Sequence, residues 1–264
     1  MQVRTPAVAG MFYPGEPHHL EQLLERFFRG AETEGVRDPH AIVAPHAGYV
    51  YSGAIAGKAF ATLPSDFDGT LVVIGPSHGG YPTSASSIPW ETPLGIVDID
   101  SEFVEALGIP VNESYMRDEH ALEVQMPFVK YRCPRARIAP VMMGLQDLGS
   151  AEALAARIGA AVDTTGRKVR VVASSDFSHY VPDRVARTQD LYVIEALDNL
   201  DLERFYQRIA ERRVTACGYG PIAAACAAAE TAGARHGRLL QYATSGDATG
   251  DHASVVGYAA LAVI

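Results

Sequence analysis

Apolar residues in this chain follow two rhythms: short unbroken runs, and longer stretches where they recur every three or four positions. A short unbroken run bounded by turn residues suits a strand buried on both faces; the wider spacing puts apolar side chains on one side of a helix. Unbroken runs at 41–44 and 71–74 predict strands, as do the mainly apolar stretches 137–142 and 169–173, which carry Arg137 and Arg170, and 238–243 and 253–263 predict two more at the end. Helical spacing predicts a helix over 16–28, where Leu20, Leu23, Leu24, Phe27 and Phe28 share a face and Gly30 provides the stop. It predicts others over 53–62 with Ser52 as cap, in a short piece after Ser101 with Glu102 in its first turn, and over 150–161, 183–198, 201–212 and 220–232. Residues 119–132 have helical spacing through Leu122, Met126 and Val129, but Pro127 lies inside. An interior proline costs ~3 kcal/mol, so this element is kinked or starts late. Residues 7–15 and 81–99 read as loops, the second with short β pieces around 87–88 and 95–97. Strands alternating with helices and no visible linker predict a single α/β domain over 1–264: a central mixed β-sheet flanked by helices on both faces.

Composition narrows the function classes. The chain has 264 residues, is 48% hydrophobic and carries a formal net charge of −9. A core of ordinary size is available, and an acidic chain with no basic run has no general attraction for nucleic acid or anionic membrane. No run approaches the ~18 apolar residues that span a bilayer. The Ala-rich stretch 222–229 follows Pro221 and reads as a packed helix. The start lacks an apolar signal core. There are three cysteines, Cys133, Cys217 and Cys226, in no CxxC spacing. An odd count without that spacing argues against a disulfide framework or a Cys-rich zinc site, and reduced thiols imply a cytoplasmic protein.

Candidate chemistry sits where strands end. Strand 41–44 runs into Pro45-His46-Ala47-Gly48, strand 71–74 into Gly75-Pro76-Ser77-His78-Gly79, and strand 169–173 into Ser174-Ser175-Asp176-Phe177-Ser178-His179. Open α/β proteins place their sites at strand ends. His46 and His78 share one local grammar and can converge on a metal; alternatively each is a loop histidine bonded to backbone. Asp176 and His179 lie three apart, so on a first helical turn the carboxylate would orient the imidazole for general-base work; the competing reading is a helix cap. Cys217, at the start of a helix, should have a lowered pKa and serve as ligand or nucleophile, against a reading as inert packing. Glu119, His120 and Glu123 form an ionisable cluster, with His120 and Glu123 on neighbouring positions of one helix face; the competing reading is a solvated polar face. His120, Glu123, Tyr49 and Ser77 are the candidates for substrate contact. Cys226 reads as packing; Cys133 and the remaining histidines carry no assigned role.

Several motifs together resemble the Memo family. They are Ala9-Gly10-Met11-Phe12-Tyr13-Pro14, Pro45-His46-Ala47-Gly48-Tyr49 with Tyr51-Ser52-Gly53, Gly75-Pro76-Ser77-His78, Glu119-His120-Ala121-Leu122-Glu123 with Pro127-Phe128, Ser174-Ser175-Asp176-Phe177-Ser178-His179, Cys217-Gly218 and Thr244-Ser245-Gly246-Asp247. The resemblance runs end to end. It implies a fold like that of class III extradiol dioxygenases, whose iron sits on two histidines and a carboxylate. It implies that His46, His78 and Cys217 are metal ligands, Cys217 standing where the carboxylate would be, and that His179 matches the acid/base histidine. Thiolate favours copper(I), zinc or thiolate-ligated iron and is itself oxidisable, so ring cleavage does not transfer with the fold. Microbial members of the family often sit beside a radical-SAM protein and an associated partner protein.

Three functions follow as expectations. The first is a metal-dependent, dioxygenase-like oxidoreductase using iron or copper, with zinc as an alternative and a small phenolic ligand among its candidate substrates; His179, Asp176 and Cys217 are its catalytic candidates. The second is a non-catalytic protein that binds a metal or a peptide within a complex. The third is a metal-free thiol hydrolase with Cys217 as nucleophile and His179 as base.

Overall fold

The unbroken apolar runs become the middle of one large sheet. A computed structural model describes every residue except Met1, Glu32 and Glu34. Its strands are β1 (Ala41–Ala44), β2 (Thr70–Pro76), β3 (Ser84–Ala85), β4 (Trp90–Thr92), β5 (Gly95–Val97), β6 (Arg137–Met143), β7 (Val169–Ser174), β8 (His179–Val181), β9 (Gly237–Thr244) and β10 (Val255–Val263). Eight of them form a sheet in the order β3-β6-β2-β7-β1-β10-β8, with β9 also paired to β10; β4 and β5 form a separate hairpin. The four central strands, β6, β2, β7 and β1, run parallel, while β10 lies antiparallel to β1 and β3 antiparallel to β6. The sheet is therefore mixed.

Both faces of the sheet are covered, which is why its strands lack alternation. Val43, Val72 and Ile74 point into a core completed by Phe103, Ile158, Phe205 and Ile222 from the helices Ser101–Leu107, Leu148–Thr165, Leu202–Arg212 and Tyr219–Thr231. Their neighbours Ile42, Leu71 and Val73 point into a second core with Leu20, Leu24, Phe60 and Phe128 from the helices Pro17–Arg29, Tyr49–Ala61 and Met126–Arg132. The chain is thus an α/β structure with helices on both faces of one sheet. Among the described residues, no helix is long and apolar enough to cross a membrane.

Three local readings need correction. The helix expected from 53 begins at Tyr49, and Ser52 lies inside it. Packing rather than capping sets this start: the Tyr49 N–H donates to Phe12 O, its hydroxyl donates to Val124 O at 2.7 Å, and its ring meets Phe128 at 4.8 Å. The β piece expected at 87–88 lies instead at Ser84–Ala85 and Trp90–Thr92. The helix expected over 183–198 ends at Ile194 and tightens into a 3-10 turn over Glu195–Asn199. The proline in 119–132 breaks that segment into His120–Glu123 and Met126–Arg132, with Pro127 in the first turn of the second, where a missing N–H costs no helical bond.

Candidate metal centre

Because β1, β2 and β7 are parallel and in register (Ala44 beside Ser174, Ile74 beside Ala173), the segments that follow them leave the sheet at the same edge. His46 and His78 emerge there with ring centroids 5.3 Å apart. His120, the first residue of His120–Glu123, completes the group: its ring is 5.5 Å from His46 and stacks on His78 at 4.5 Å. One donor nitrogen from each of the three imidazoles lies within 4.8 Å of the other two. Three imidazoles so gathered could hold a metal ion. The sequence suggested His120 as a substrate contact; the fold sets it beside the two strand-end histidines.

Glu119 organises this side of the site. One carboxylate oxygen caps the following turn through Ala121 N at 2.9 Å and accepts from His78 Nδ1 at 2.8 Å; the other accepts from His78 N at 2.8 Å. The Nδ1 proton of His78 is thereby committed, and Nε2 keeps its lone pair for the site. His120 Nδ1 lies 3.7 Å from the same carboxylate. Burial alone would lower the His78 pKa, but the Glu119 hydrogen bond overrides it and holds it above the ordinary imidazole range. Burial would likewise raise Glu119, and the His78 bond holds it low instead. His46 is 2% exposed; burial, then the neighbouring imidazoles, pushes its pKa well down and keeps the ring neutral. Burial and His78 lower His120 too. Neutral imidazole is the form that ligates.

The opposite wall is made by two segments laced side by side. Cys217 N donates to Asp176 O at 3.2 Å, Asp176 N donates to Cys217 Sγ at 3.3 Å, and Gly218 N donates to Ser175 Oγ at 2.9 Å. Further along, His179 N donates to Thr215 Oγ1 at 2.8 Å, and His179 Nδ1 lies 2.9 Å from Thr215 O. A carbonyl only accepts, so His179 carries a proton on Nδ1, and Nε2 is the ring nitrogen outside that bond. Gln146 clamps the same stretch, donating to Cys217 O and accepting from Gly220 N, each at 2.9 Å. The lacing brings Cys217 Sγ to 3.2 Å from His46 Nε2.

Two expectations about this wall change. Residues 175–178 form no helical turn, because Phe177 N donates to Gly257 O and Gly257 N to Ser178 O, tying the segment to β10, and His179 opens β8. Asp176 therefore does not orient the His179 ring. Its Oδ1 accepts from His46 N at 2.9 Å, and burial pushes its carboxyl up to about 6 against that bond. The Cys217 pKa is raised, not lowered: burial in packed surroundings comes first, the nearby Asp176 charge second, and together they outweigh the start of the helix. The resting thiol is S–H.

Gly218 allows the close approach. A Cβ there would stand 2.4 Å from Ser174 O and 2.8 Å from Ser175 Cβ. We expect Gly218→Ala to force these two segments apart, costing ~1–3 kcal/mol of stability and displacing Cys217. Thermal unfolding checks the first effect. Thiol-labelling rate checks the second, with faster reaction of Cys217 as the expected outcome.

The other suggested residues have partners of their own outside the three imidazoles. The Glu123 carboxylate, 1% exposed, accepts from Arg4 Nη1, Ala7 N, Val8 N and Tyr13 OH at 2.7–2.9 Å and holds the N-terminal segment. Tyr49 is buried with its hydroxyl on Val124 O, and Ser77 Oγ accepts from Tyr81 N at 2.8 Å. Cys133 and Cys226 are buried and free, with thiols pushed up to about 12 by burial. Sequence reasoning gave Ser174 no role beyond that of a candidate helix cap and did not single out Gln125 or Thr215. Each lies two residues from a suspected site residue (Asp176, Glu123 and Cys217 respectively), which was the available signal.

A family model described as "Memo-like protein" matches residues 4–262. A protein of Methanosarcina barkeri named as a MEMO1 family protein is 44% identical over 267 residues, covering 99% of this chain and 100% of its own. One from Archaeoglobus fulgidus is 44% identical over 264 residues, covering 98% of each. Another, from Nitrosopumilus maritimus, is 37% identical over 278 residues, covering 99% of this chain and 100% of its own. With the family model matching residues 4–262 and the similarity to these relatives running over nearly the whole length, the chain belongs to the Memo family.

Proposed function

We propose that this chain is a metal-dependent oxidoreductase whose site takes a non-haem iron or copper ion. His46 and His78 would donate through Nε2 and Cys217 through sulfur, with His120 facing the same space. The observation that carries this reading is the convergence of three imidazole donors within 4.8 Å of one another, with a thiol 3.2 Å from one of them. The donor chemistry fits: mixed nitrogen and sulfur sets suit copper, thiolate-ligated iron and zinc, and exclude magnesium and calcium, which take oxygen. The thiol rests protonated, so taking up an ion displaces its proton and tightens binding as pH rises. When bound, the ion supplies Lewis-acid or one-electron chemistry.

The chain's own residues do the rest. His179, with Nδ1 fixed on Thr215 O, offers Nε2 to take and return a substrate proton. Glu119 keeps the His78 ring aimed and its donor nitrogen bare. Asp176 holds the His46 backbone rather than the His179 ring.

A second reading has its own support: the grouping of His46, His78 and His120 suffices for an all-imidazole site with Cys217 outside it. Elemental analysis of protein purified from its natural source without an affinity tag tests both. About one transition-metal ion per chain supports a resident metal; negligible metal in every preparation sinks it. Retention of that ion by Cys217→Ser and its loss from His120→Asn would favour the all-imidazole set.

A further inference from the structure

Ser174, at the end of β7, is fully buried between three partners. Its Oγ lies 2.6 Å from Ala121 O, 2.8 Å from Gln125 Nε2 and 2.8 Å from His46 Nδ1. A hydroxyl has one proton to give and two lone pairs to receive. The Ala121 carbonyl can only accept, so it takes that one proton. The Gln125 amide nitrogen can only donate, so it fills one lone pair. Its orientation is fixed independently, because Nε2 also donates to Pro45 O at 3.0 Å; turning the amide would set two carbonyl oxygens against each other. Gln125 is 0% exposed and its Oε1 has no partner, a buried acceptor left empty so that its nitrogen can face Ser174 and Pro45. One lone pair remains on Ser174 Oγ, and it needs a donor.

We infer that Ser174 is a positioning residue that sets the tautomer of His46: its remaining lone pair forces the proton onto Nδ1 and leaves Nε2 bare toward Cys217 and the site. The selection is made from positions far apart in sequence, since Ser174 ends β7, Ala121 lies in His120–Glu123 and Gln125 immediately precedes the next helix. His78 and His179 are set the same way by Glu119 and Thr215. His46 differs in that its Nδ1 partner is a hydroxyl, able to donate or accept, whose direction is dictated by its other neighbours. The inference rests on the metal reading only in naming Nε2 as the ion's donor.

The test uses full-length, metal-free protein carrying 15N-labelled histidine, with the His46 ring assigned by its absence in His46→Asn. In wild type we expect one tautomer at His46, protonated at Nδ1. In Ser174→Ala the ring loses its acceptor, and the Nε2–H form favoured by free imidazole should become populated. Ser174→Thr, which keeps the hydroxyl, should restore the Nδ1–H form. Iron(II) or copper(I) titration should show Ser174→Ala weaker by ~10–100-fold, the usual loss when a ligand's outer partner is removed. An Nε2–H ring in wild type overturns the inference, whether or not the variants fold. An unchanged Nδ1–H ring in Ser174→Ala overturns it as well. A wild-type protein with the expected tautomer and no affinity for either metal would contradict the metal reading alone and leave the role of Ser174 intact.

Discussion

His46→Ala and His78→Ala are expected to lose the metal. Each removes one of the two strand-end donors and leaves the ion with an incomplete set built from the other strand-end histidine, Cys217 and His120. Losing an outer partner already costs ~10–100-fold in affinity, so losing a ligand should cost more than that. Cys217→Ser should fall in the same class, because a hydroxyl is a poor substitute for thiolate at a soft ion. His120→Asn should cost less if the sulfur is the third donor. Competition titration with a chromogenic chelator measures all four. Metal-free unfolding temperatures close to wild type would show that the loss is local. Wild-type affinity in His46→Ala would remove the basis for the site.

Glu123→Ala should cause the largest loss of stability. The carboxylate is 1% exposed and paired with Arg4, itself 4% exposed. Removing it strands the guanidinium, the Ala7 and Val8 N–H groups and the Tyr13 hydroxyl, all of which donate to it. Breaking a buried pair from one side costs ~3–5 kcal/mol, and at this chain length that lowers Tm on the order of 10 °C. The consequence should reach the site. Arg4 also donates to Met116 O, Arg117 O and Glu119 O and lies 4.0 Å over the Trp90 ring, so it fastens the stretch that carries Glu119 and His120. We therefore expect Glu123→Ala to weaken metal binding as well, although its carboxylate is committed elsewhere. Calorimetry measures the stability change; a drop below about 0.5 kcal/mol, the range of ordinary surface substitutions, would contradict the buried pairing.

The parts of this fold that could be read in the sequence are those where burial dictates composition. β1, β2 and most of β6 and β7 are covered on both sides, so their residues are mainly apolar, with Arg137 and Arg170 near the less covered starts of β6 and β7. Pro127 announces a break that does occur. β8 is different: His179-Tyr180-Val181 is partly exposed, too short for a pattern, and held by pairing with Val255 and Val256. A helical turn through Asp176 and His179 is equally plausible on local grounds, and contacts with 215–217 and 257 decide against it. His46 and His78 were legible because each follows a strand end. The place of His120 was not, since an N-terminal segment about 120 residues away anchors the turn that carries it. The Cys217 environment was misjudged because the start of a helix is visible in sequence and desolvation is not.

X-ray absorption at the metal edge of the natively purified protein tests the donor set most directly. A shell of nitrogen scatterers near ~2.0 Å with one sulfur near ~2.3 Å, the sulfur vanishing in Cys217→Ser, is the predicted result. A spectrum with no sulfur in wild type would contradict ligation by Cys217, and an ion surrounded only by oxygen would contradict the site altogether.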